Sequence, residues 1–251
     1  MVYWIWLTLL PFIGPVTAKR LWKQFGDAET IYRMNPDEFQ TMAGFSVRQK
    51  ESLLKNRSLA KAENILRECE RKGISIMNLN DPAYPGRAKE PEDAPVVLYY
   101  KGCLKRMSKT VGIVGARRCG QEAKRKAVLL SEEYTKNGFA IISGMAKGID
   151  SYAQTACLKM GGYTVAVAGN GLDVCYPSEQ RVLMERIEEK GLLISEYPPG
   201  TLPTRYSFPR RNRLISAWSD QLMIIEPGKG SGTLTTMQYE IKYGREVTVY
   251  G

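Results

Sequence analysis

Residues 111–150 read VGIVGARRCGQEAKRKAVLLSEEYTKNGFAIISGMAKGID, and this stretch decides the fold. The apolar run Val111–Gly115 is followed by a helical pattern over Gly120–Asn137, and a second apolar run begins at Phe139. Short apolar runs that alternate with amphipathic helices are typical of parallel strands covered on both faces. The stretch therefore predicts one β-α-β unit of a doubly wound α/β sheet.

The same alternation extends over residues 96–251 and predicts one α/β domain with a mainly parallel sheet. The predicted strands are Val96–Tyr100, Val111–Gly115, Phe139–Ile142, Thr164–Ala168, Leu192–Ser195, Leu222–Ile225 and Val247–Tyr250. The predicted helices are Gly120–Asn137, Ile149–Met160, Ser178–Lys190, Pro209–Trp218 and Gly232–Tyr243.

The first part of the chain has helical periodicity and no strand pattern. We assign residues 1–78 to a helical domain and the turn-rich residues 79–95 to a proline-rich linker. Residues 13–26, IGPVTAKRLWKQFG, resemble a helix-hairpin-helix element in which a Gly-Pro turn opens a basic helix carrying Lys19, Arg20 and Lys23. Such a helix start can hold a backbone phosphate, although many Gly turns in helical bundles serve packing alone.

Composition excludes several classes of site. The chain of 251 residues carries a formal net charge of +10, which suits a polyanionic partner. It has no histidine, so Ser-His-Asp triads and His-ligated zinc are excluded. The five cysteines are scattered without a CxxC pair, which predicts reduced thiols. The apolar N-terminal residues are too few to span a bilayer, and together with the reduced thiols this predicts a cytoplasmic protein. We expect no metal and no cofactor.

Residues 205–216, RYSFPRRNRLIS, contain the strongest indication of function. Arginine guanidinium groups match phosphate oxygens, and aromatic faces such as that of Phe208 stack on bases of any identity. This combination is typical of single-strand nucleic-acid binding. The alternative is a solvated basic helix end with Phe208 turned into the core, and the flanking Ser207 and Pro209 favour an exposed stacking ring over that alternative.

Loops that leave the carboxyl ends of parallel strands share one edge of the sheet, where ligands bind. They are rich in glycine or in basic residues, which favours a cleft for phosphates or nucleic acid. The loops are GARRCG (115–120), SGMAKG (143–148), GNGLDVCYP (169–177), residues 196–208 and EPGKGSGT (226–233). They match neither G-x-G-x-x-G nor G-x-x-x-x-G-K-[ST], so an ordinary dinucleotide site and a P-loop are unsupported.

The motifs resemble those of the DNA-processing protein A family, also called DprA or Smf. They are GARR at Gly115–Arg118, SGMAKGID at Ser143–Asp150, G-x-G-x-D-x-x-YP at Gly169–Pro177, SEYPPG at Ser195–Gly200, FPRRNRLIS at Phe208–Ser216 and E-x-x-x-x-SGTLTT at Glu226–Thr236. They occur in family order and spacing. The helical N-terminal region is similar to the family's sterile-alpha-motif-like (SAM-like) domain, and the α/β domain to its extended Rossmann-like fold.

The resemblance implies that the protein is a recombination mediator and not an enzyme. Such proteins bind incoming single-stranded DNA without sequence preference, protect it and load the RecA recombinase onto it during natural transformation. The expected partners are therefore single-stranded DNA, RecA and, through the Rossmann-like domain, a second copy of the chain, with no membrane partner. The family commonly has a histidine where this chain has Gln154, which favours a structural role for that position.

The same resemblance assigns the DNA-binding residues. Arg117, Arg205 and the amides of Ser231 and Gly232 would contact the DNA backbone, and Phe208 would stack. The remaining candidates are Gly115, Arg118, Ser143, Gly144, Lys147, Arg210, Arg211, Asn212 and Thr233. Arg211 and Asn212 hold phosphate or lock the helix start to neighbouring loops, and a partly structural role is favoured for Asn212. Asp150 and Asp173 are expected to brace their loops, because a carboxylate repels phosphate.

The alternative function is a nucleotide-binding or phosphoribohydrolase-like protein that uses the same cleft. Phosphoribohydrolases of this superfamily carry a P-G-G-x-G-T-x-x-E loop with a catalytic glutamate. This chain has PGKGSGTLTT at Pro227–Thr236, with Thr235 and Thr236 where acidic residues would stand. An acid–base pair is therefore missing from the sequence, which disfavours hydrolysis.

Overall fold

The structure is a computed structural model that describes residues 1–227 and 232–251. Its first part is helical, as predicted. The helices are α1 (Val2–Leu9), α2 (Pro15–Phe25), α3 (Ala28–Arg33), α4 (Pro36–Thr41), α5 (Val47–Lys55) and α6 (Ala60–Arg71). Helix α2 begins at Pro15, whose fixed φ suits a first helical position, and stops at Gly26, which has a φ of 77°.

Lys19 of α2 is turned away from solvent. Only 2% of the residue is exposed, and its Nζ donates to the backbone oxygens of Glu90 at 3.0 Å and Pro91 at 2.6 Å. Lys19 is therefore not placed to offer its charge to a phosphate. Its ammonium group instead fastens the helical region to the segment that precedes the α/β part.

The α/β part is built on an eight-stranded sheet with the order β1-β2-β6-β5-β4-β3-β7-β8. The strands are β1 (Ser75–Asn78), β2 (Val97–Gly102), β3 (Thr110–Gly115), β4 (Ala140–Ser143), β5 (Thr164–Ala168), β6 (Leu192–Ser195), β7 (Gln221–Ile225) and β8 (Glu246–Tyr250). Neighbours from β6 through β8 pair in parallel, which confirms the predicted doubly wound α/β fold. Strand β2 pairs antiparallel with β6.

Strand β1 was not predicted. Ser75–Asn78 pairs antiparallel with β2, with Met77 opposite Leu98, so the sheet begins inside the residues assigned to the helical domain. The strand is only four residues long and only Met77 in it is buried, which gives little apolar pattern to detect. The linker also holds a short helix, α7 (Gly86–Lys89).

Helices cover both faces of the sheet. They are α8 (Gln121–Lys136), α9 (Ile149–Lys159), α10 (Arg181–Lys190), α11 (Ser207–Ala217) and α12 (Gly232–Lys242), with a short 3-10 helix at Ser178–Gln180. Ile113 of β3 packs in one apolar cluster with Ala127 of α8, whereas its neighbour Val114 belongs to a second cluster with Leu214 of α11. Consecutive residues thus point to opposite faces, as in any strand.

The helical region joins the second of these clusters. Trp6 of α1 and Leu21 of α2 are buried in the same apolar core as Leu98 of β2. The two parts of the chain therefore share one continuous core. Within the described residues, no helix is both long enough and apolar enough to cross a bilayer.

The strand order places a crevice at the carboxyl edge of the sheet. The chain passes from β3 through β4 and β5 to β6 in one direction, and then returns to place β7 on the other side of β3. Loops on the two sides of such a reversal diverge and leave a ligand-binding crevice. In this fold the crevice lies beside the loop after β3, residues 115–120.

Candidate functional site

A cleft of about 700 Å³ opens at this edge of the sheet. Loops after β3, β4, β5 and β6 and the first turns of α11 form its walls. The residues that line it include Gly115, Arg117, Arg118, Ala146, Asp150, Tyr176, Thr204, Arg205, Phe208, Arg211 and Asn212. Half of the predicted DNA-binding residues are thus brought together in this one cleft.

The loop after β3 contributes two exposed arginines, Arg117 and Arg118. Gly115 lets this loop leave the sheet closely packed, because a Cβ there would lie 2.1 Å from the backbone oxygen of Ile225. The loop ends where Glu226 accepts a hydrogen bond from the Gly120 amide at 3.0 Å. The start of helix α8 is thereby capped by a carboxylate, and the arginines remain as the groups that attract an anion.

Phe208 forms part of the cleft wall and is half-buried. Its ring lies 5.2 Å from that of Tyr176 between centroids, and the Arg117 guanidinium lies 5.8 Å from its centre. A Cβ at Gly169 would come within 3.0 Å of the ring, so glycine is needed behind it. The expectation of a substantially exposed ring is therefore too strong: one part of Phe208 packs on the loop after β5, and the rest borders the cleft.

Arg205 is exposed beside the cleft. Its guanidinium lies 4.6 Å from the centre of the neighbouring Tyr206 ring and donates to the Tyr206 hydroxyl. Tyr206 is itself 69% exposed, so it keeps most of its surface in solvent while it holds the arginine. Arg117, Arg118 and Arg205 therefore bring solvent-accessible positive charge to the cleft that Phe208 borders.

Arg211 differs from these arginines because it is buried, with 5% of the residue exposed. Its Nη1 donates to the backbone oxygens of Gly144, at 2.7 Å, and Val167. Burial lowers the pKa of Arg211 to about 10, although the nearby Asp150 carboxylate opposes this shift. Of the two roles considered for Arg211, the structure supports locking the helix start to the loop after β4 and to strand β5.

Asn212 and Gly144 complete this lock. Asn212 is buried and its Oδ1 accepts from Arg211 Nε at 3.1 Å, in keeping with its expected structural part. At Gly144 a Cβ would lie 2.4 Å from the Arg211 guanidinium, so glycine leaves the room that this group occupies.

The predicted bracing carboxylates do brace their loops. Asp150 is buried and accepts from the amides of Gly144 at 3.1 Å and Ala146 at 3.4 Å; burial raises its pKa, against the opposing charge of Arg211. Asp173 accepts from the Gly200 amide at 2.8 Å and pairs with Lys72, the residue after α6, at 2.7 Å. Burial raises its pKa, but Lys72 and Gly200 outweigh this and leave the pKa of Asp173 below its ordinary value.

Two predicted residues have side chains directed elsewhere. Ser143 is fully buried and its hydroxyl donates to the Ile113 backbone oxygen at 2.6 Å, which leaves it unable to reach a ligand in the cleft. Arg210 is exposed but lines a different groove, and its Nε lies 3.4 Å from Glu196 Oε1. Ser143 and Arg210 belong to the segments that were predicted to bind DNA, but neither side chain lines the cleft.

Lys147 borders an adjoining cavity of about 450 Å³ that shares Arg117, Tyr176 and Phe208 with the cleft. Its Nζ pairs with Glu179 at 2.6 Å, and both side chains are more than half exposed. The predicted Ser231 lies outside the described residues. Helix α12 begins at Gly232, and of Gly232 and Thr233 only this helical backbone is described.

Sequence reasoning missed Tyr176. It is 43% exposed, lines both cavities and packs against Phe208. Its position in the loop after β5 was a usable signal, because that loop was assigned to the cleft edge. Gln154, in contrast, is buried and donates to Thr164 Oγ1 at 3.1 Å, away from the cleft, as its structural assignment requires.

Comparison with known protein sequences finds relatives that all belong to one family. Residues 75–251 match the family model of the DNA recombination-mediator protein A. The chain is 36% identical over 250 residues to the protein Smf of Synechocystis, covering 98% of this chain and 63% of that protein. It is 34% identical over 240 residues to the DNA processing protein DprA of Bacillus subtilis, and the match covers 94% of this chain and 79% of that protein. The chain thus spans less than two thirds of the Synechocystis relative.

Solved structures agree with these matches. The crystal structure of DNA processing protein A from Streptococcus pneumoniae has a TM-score of 0.82 at 28% identity, covering 99% of this chain and 84% of that chain. The DNA processing protein A from Helicobacter pylori, whose study concerns its single-stranded DNA binding mode, has a TM-score of 0.62 at 32% identity over 70% of this chain and 80% of that chain. With its fold, its cleft and the match of residues 75–251 in agreement, the chain belongs to the DNA recombination-mediator protein A family.

Proposed function

We propose that the cleft binds single-stranded DNA through its phosphates and stacks unpaired bases on Phe208 without reading their identity. The observation that carries this proposal is the position of Phe208, half-buried in the cleft wall with the exposed guanidinium groups of Arg117 and Arg205 beside it. Guanidinium groups bind phosphate oxygens, and an aromatic face accepts any base. Single-stranded DNA binding by the Helicobacter pylori relative supports this assignment.

The internal contacts of the site favour binding without chemistry. Asp150 is held by backbone amides and by the charge of Arg211, and Glu226 caps the Gly120 amide. Carboxylates occupied in this way are poorly placed to act as general acid or base. We therefore infer a mediator that turns over neither nucleotides nor DNA, and whose product is a protected strand handed to RecA.

A competition experiment tests the binding proposal. Labelled oligothymidylate bound to the protein is challenged with single-stranded DNA, with duplex of equal length and with mononucleotides. Single strands should compete best because stacking requires unpaired bases, and affinity should fall steeply with salt because phosphate contacts release counterions. Equal competition by duplex, or saturation by a mononucleotide with no gain from chain length, would overturn it.

The mediator role has its own tests. The rate at which RecA assembles on a labelled single strand should rise when the strand is first covered by this protein. Light scattering should separately detect a dimer of this protein. Incubation with ATP, nucleoside monophosphates or DNA should release no product. Sustained product release that is lost in Glu226→Gln or Asp173→Asn would favour the enzyme alternative.

A further inference from the structure

Another groove, of about 390 Å³, lies between the α1–α2 turn of the helical region and the sheet. The turn between α1 and α2 forms one wall and the start of the β6–α11 loop forms the other. Residues that line it include Leu10, Phe12, Pro15, Tyr197, Pro198 and Arg210. The groove is separate from the cleft described above, although the same loop borders both.

Phe12 is the unusual residue of this groove. It is 63% exposed and has a φ of 62°, a backbone region that bulky side chains rarely occupy. The Arg48 guanidinium lies 5.9 Å from the centre of its ring. The cleft has a similar pairing of an aromatic ring with an arginine, in Phe208 and Arg117.

The groove and the cleft are connected through α11 and the loop before it. Phe208 borders the cleft, whereas Arg210, two residues later on the same helix, borders the groove. In the loop, Tyr197 and Pro198 line the groove and Arg205 lines the cleft. A strand that follows this loop out of the cleft would therefore arrive at the groove.

The charge of the groove suits a polyanion. The side chain of its acidic lining residue, Glu196, is only 6% exposed and pairs with Arg213 and, at 3.4 Å, with Arg210, so its charge is compensated. The Arg210 side chain remains 50% exposed and Arg48 is exposed. These guanidinium groups are available to the phosphates of a strand that passes Phe12.

We propose that single-stranded DNA leaving the cleft continues into this groove, where a base stacks on Phe12 and the flanking phosphates contact Arg210 and Arg48. The proposal rests on the function proposed for the cleft and extends its binding surface to the helical region. The protein would then hold a longer segment than the cleft alone can hold.

A length series tests this proposal. Wild type, Phe12→Ala and the conservative Phe12→Tyr are titrated with oligothymidylates from about 4 to about 16 nucleotides, the range of site sizes for single-strand binding folds. Short oligonucleotides should bind all three proteins equally. Long ones should lose affinity in Phe12→Ala by roughly 5- to 140-fold, the loss of one base–aromatic stack, and keep it in Phe12→Tyr.

The outcomes separate the two proposals. If wild type binds no oligonucleotide of any length, the cleft function fails and this inference fails with it. If wild type binds but Phe12→Ala holds long strands equally well, or loses affinity equally at every length, the groove is refuted and the cleft stands. Phe12→Ala could also bind DNA as tightly as wild type but have a smaller molar mass in solution than wild type. The groove would then be a contact between two copies of the chain, and the proposal would be overturned.

Photo-crosslinking gives an independent readout. An iodouracil placed at the end of a long oligonucleotide should crosslink to the peptide Met1–Lys19, which contains Phe12. The same label at the end of a short one should crosslink only to cleft peptides. Absence of the Met1–Lys19 crosslink with the long oligonucleotide, with iodouracil placed at either end, would contradict the proposed path.

Discussion

Arg211 Nη1 donates to the backbone oxygen of Gly144 at 2.7 Å, and this contact joins helix α11 to the loop after β4. A buried guanidinium in this position holds two walls of the cleft together. The neighbouring Arg210 and the cleft arginines Arg117 and Arg205 are exposed, so one sequence segment contains arginines with different roles. Stability and DNA affinity measured on the same variants separate those roles.

Arg211→Ala should destabilise the protein by roughly 3–5 kcal/mol, because it leaves the Gly144 and Val167 oxygens unpaired and removes the charge facing Asp150. Urea denaturation measures this free energy of unfolding. The matched control is Arg118→Ala, an exposed arginine of the same cleft, for which a change of no more than about 0.5 kcal/mol is expected. Equal stability of the two variants would show that Arg211 does not brace the fold.

Arg117→Ala and Arg205→Ala should weaken DNA binding and leave thermal stability nearly unchanged. Each lost phosphate contact should reduce the slope of log affinity against log salt by about 0.7, the value for single strands. Arg186→Ala, an exposed arginine of α10 on the outside of the sheet, is the control and should keep the wild-type slope. A large fall in melting temperature for Arg117→Ala would instead indicate a structural arginine.

Lys19→Met should lower stability without affecting oligonucleotide affinity. The substitution removes the ammonium that donates to the Glu90 and Pro91 oxygens, and an unpaired buried polar group costs roughly 1–3 kcal/mol. Lys23→Met, one turn further along the same helix, serves as the control for loss of charge alone. If Lys19→Met binds DNA less tightly than wild type while its free energy of unfolding equals that of wild type, Lys19 contacts DNA after all.

Asp173 should make stability depend on pH in the acid range. Its pKa in the folded protein lies below its ordinary value because Lys72 and the Gly200 amide stabilise the carboxylate. Its contribution is therefore fully present above the ordinary aspartate pKa, about 3.9, and is lost as the pH falls through the folded value.

Denaturation of wild type and Asp173→Asn between about pH 6 and about pH 2.5 measures this dependence. The stability difference between the two proteins should shrink as the pH falls through this range. A difference that stays constant over the whole series would show that the Lys72–Asp173 pair has no pH-dependent contribution.

Sequence reasoning predicted most of the sheet because its central strands are continuous apolar runs bounded by loops. Thr164–Ala168 and Leu192–Ser195 agree with the structure residue for residue. Strand Ser75–Asn78 escaped because it is short, half-exposed and held by antiparallel pairing at the sheet edge. Such pairing depends on a partner strand, which local sequence does not reveal.

The site was predicted as a set of loops more reliably than as a set of side chains. Arg210 and Arg211 are neighbours in sequence, yet within the described residues only Arg211 donates to the backbone oxygens of Gly144 and Val167, which lie 67 and 44 residues away. Burial of a guanidinium is decided by such distant partners, so the sequence cannot separate the two. The half-burial of Phe208 has the same origin, since it follows from the approach of Gly169 and Tyr176.

The most direct test of base stacking on Phe208 is the affinity of Phe208→Ala for oligothymidylate, measured together with its unfolding free energy. Phe208→Tyr, which keeps an aromatic face, is the control. We predict a loss of roughly 1–3 kcal/mol of binding free energy for Phe208→Ala, wild-type affinity for Phe208→Tyr, and a stability loss below the roughly 3–5 kcal/mol of a fully buried ring. Wild-type affinity of Phe208→Ala together with a lowered unfolding free energy would contradict the proposal and make Phe208 a packing residue.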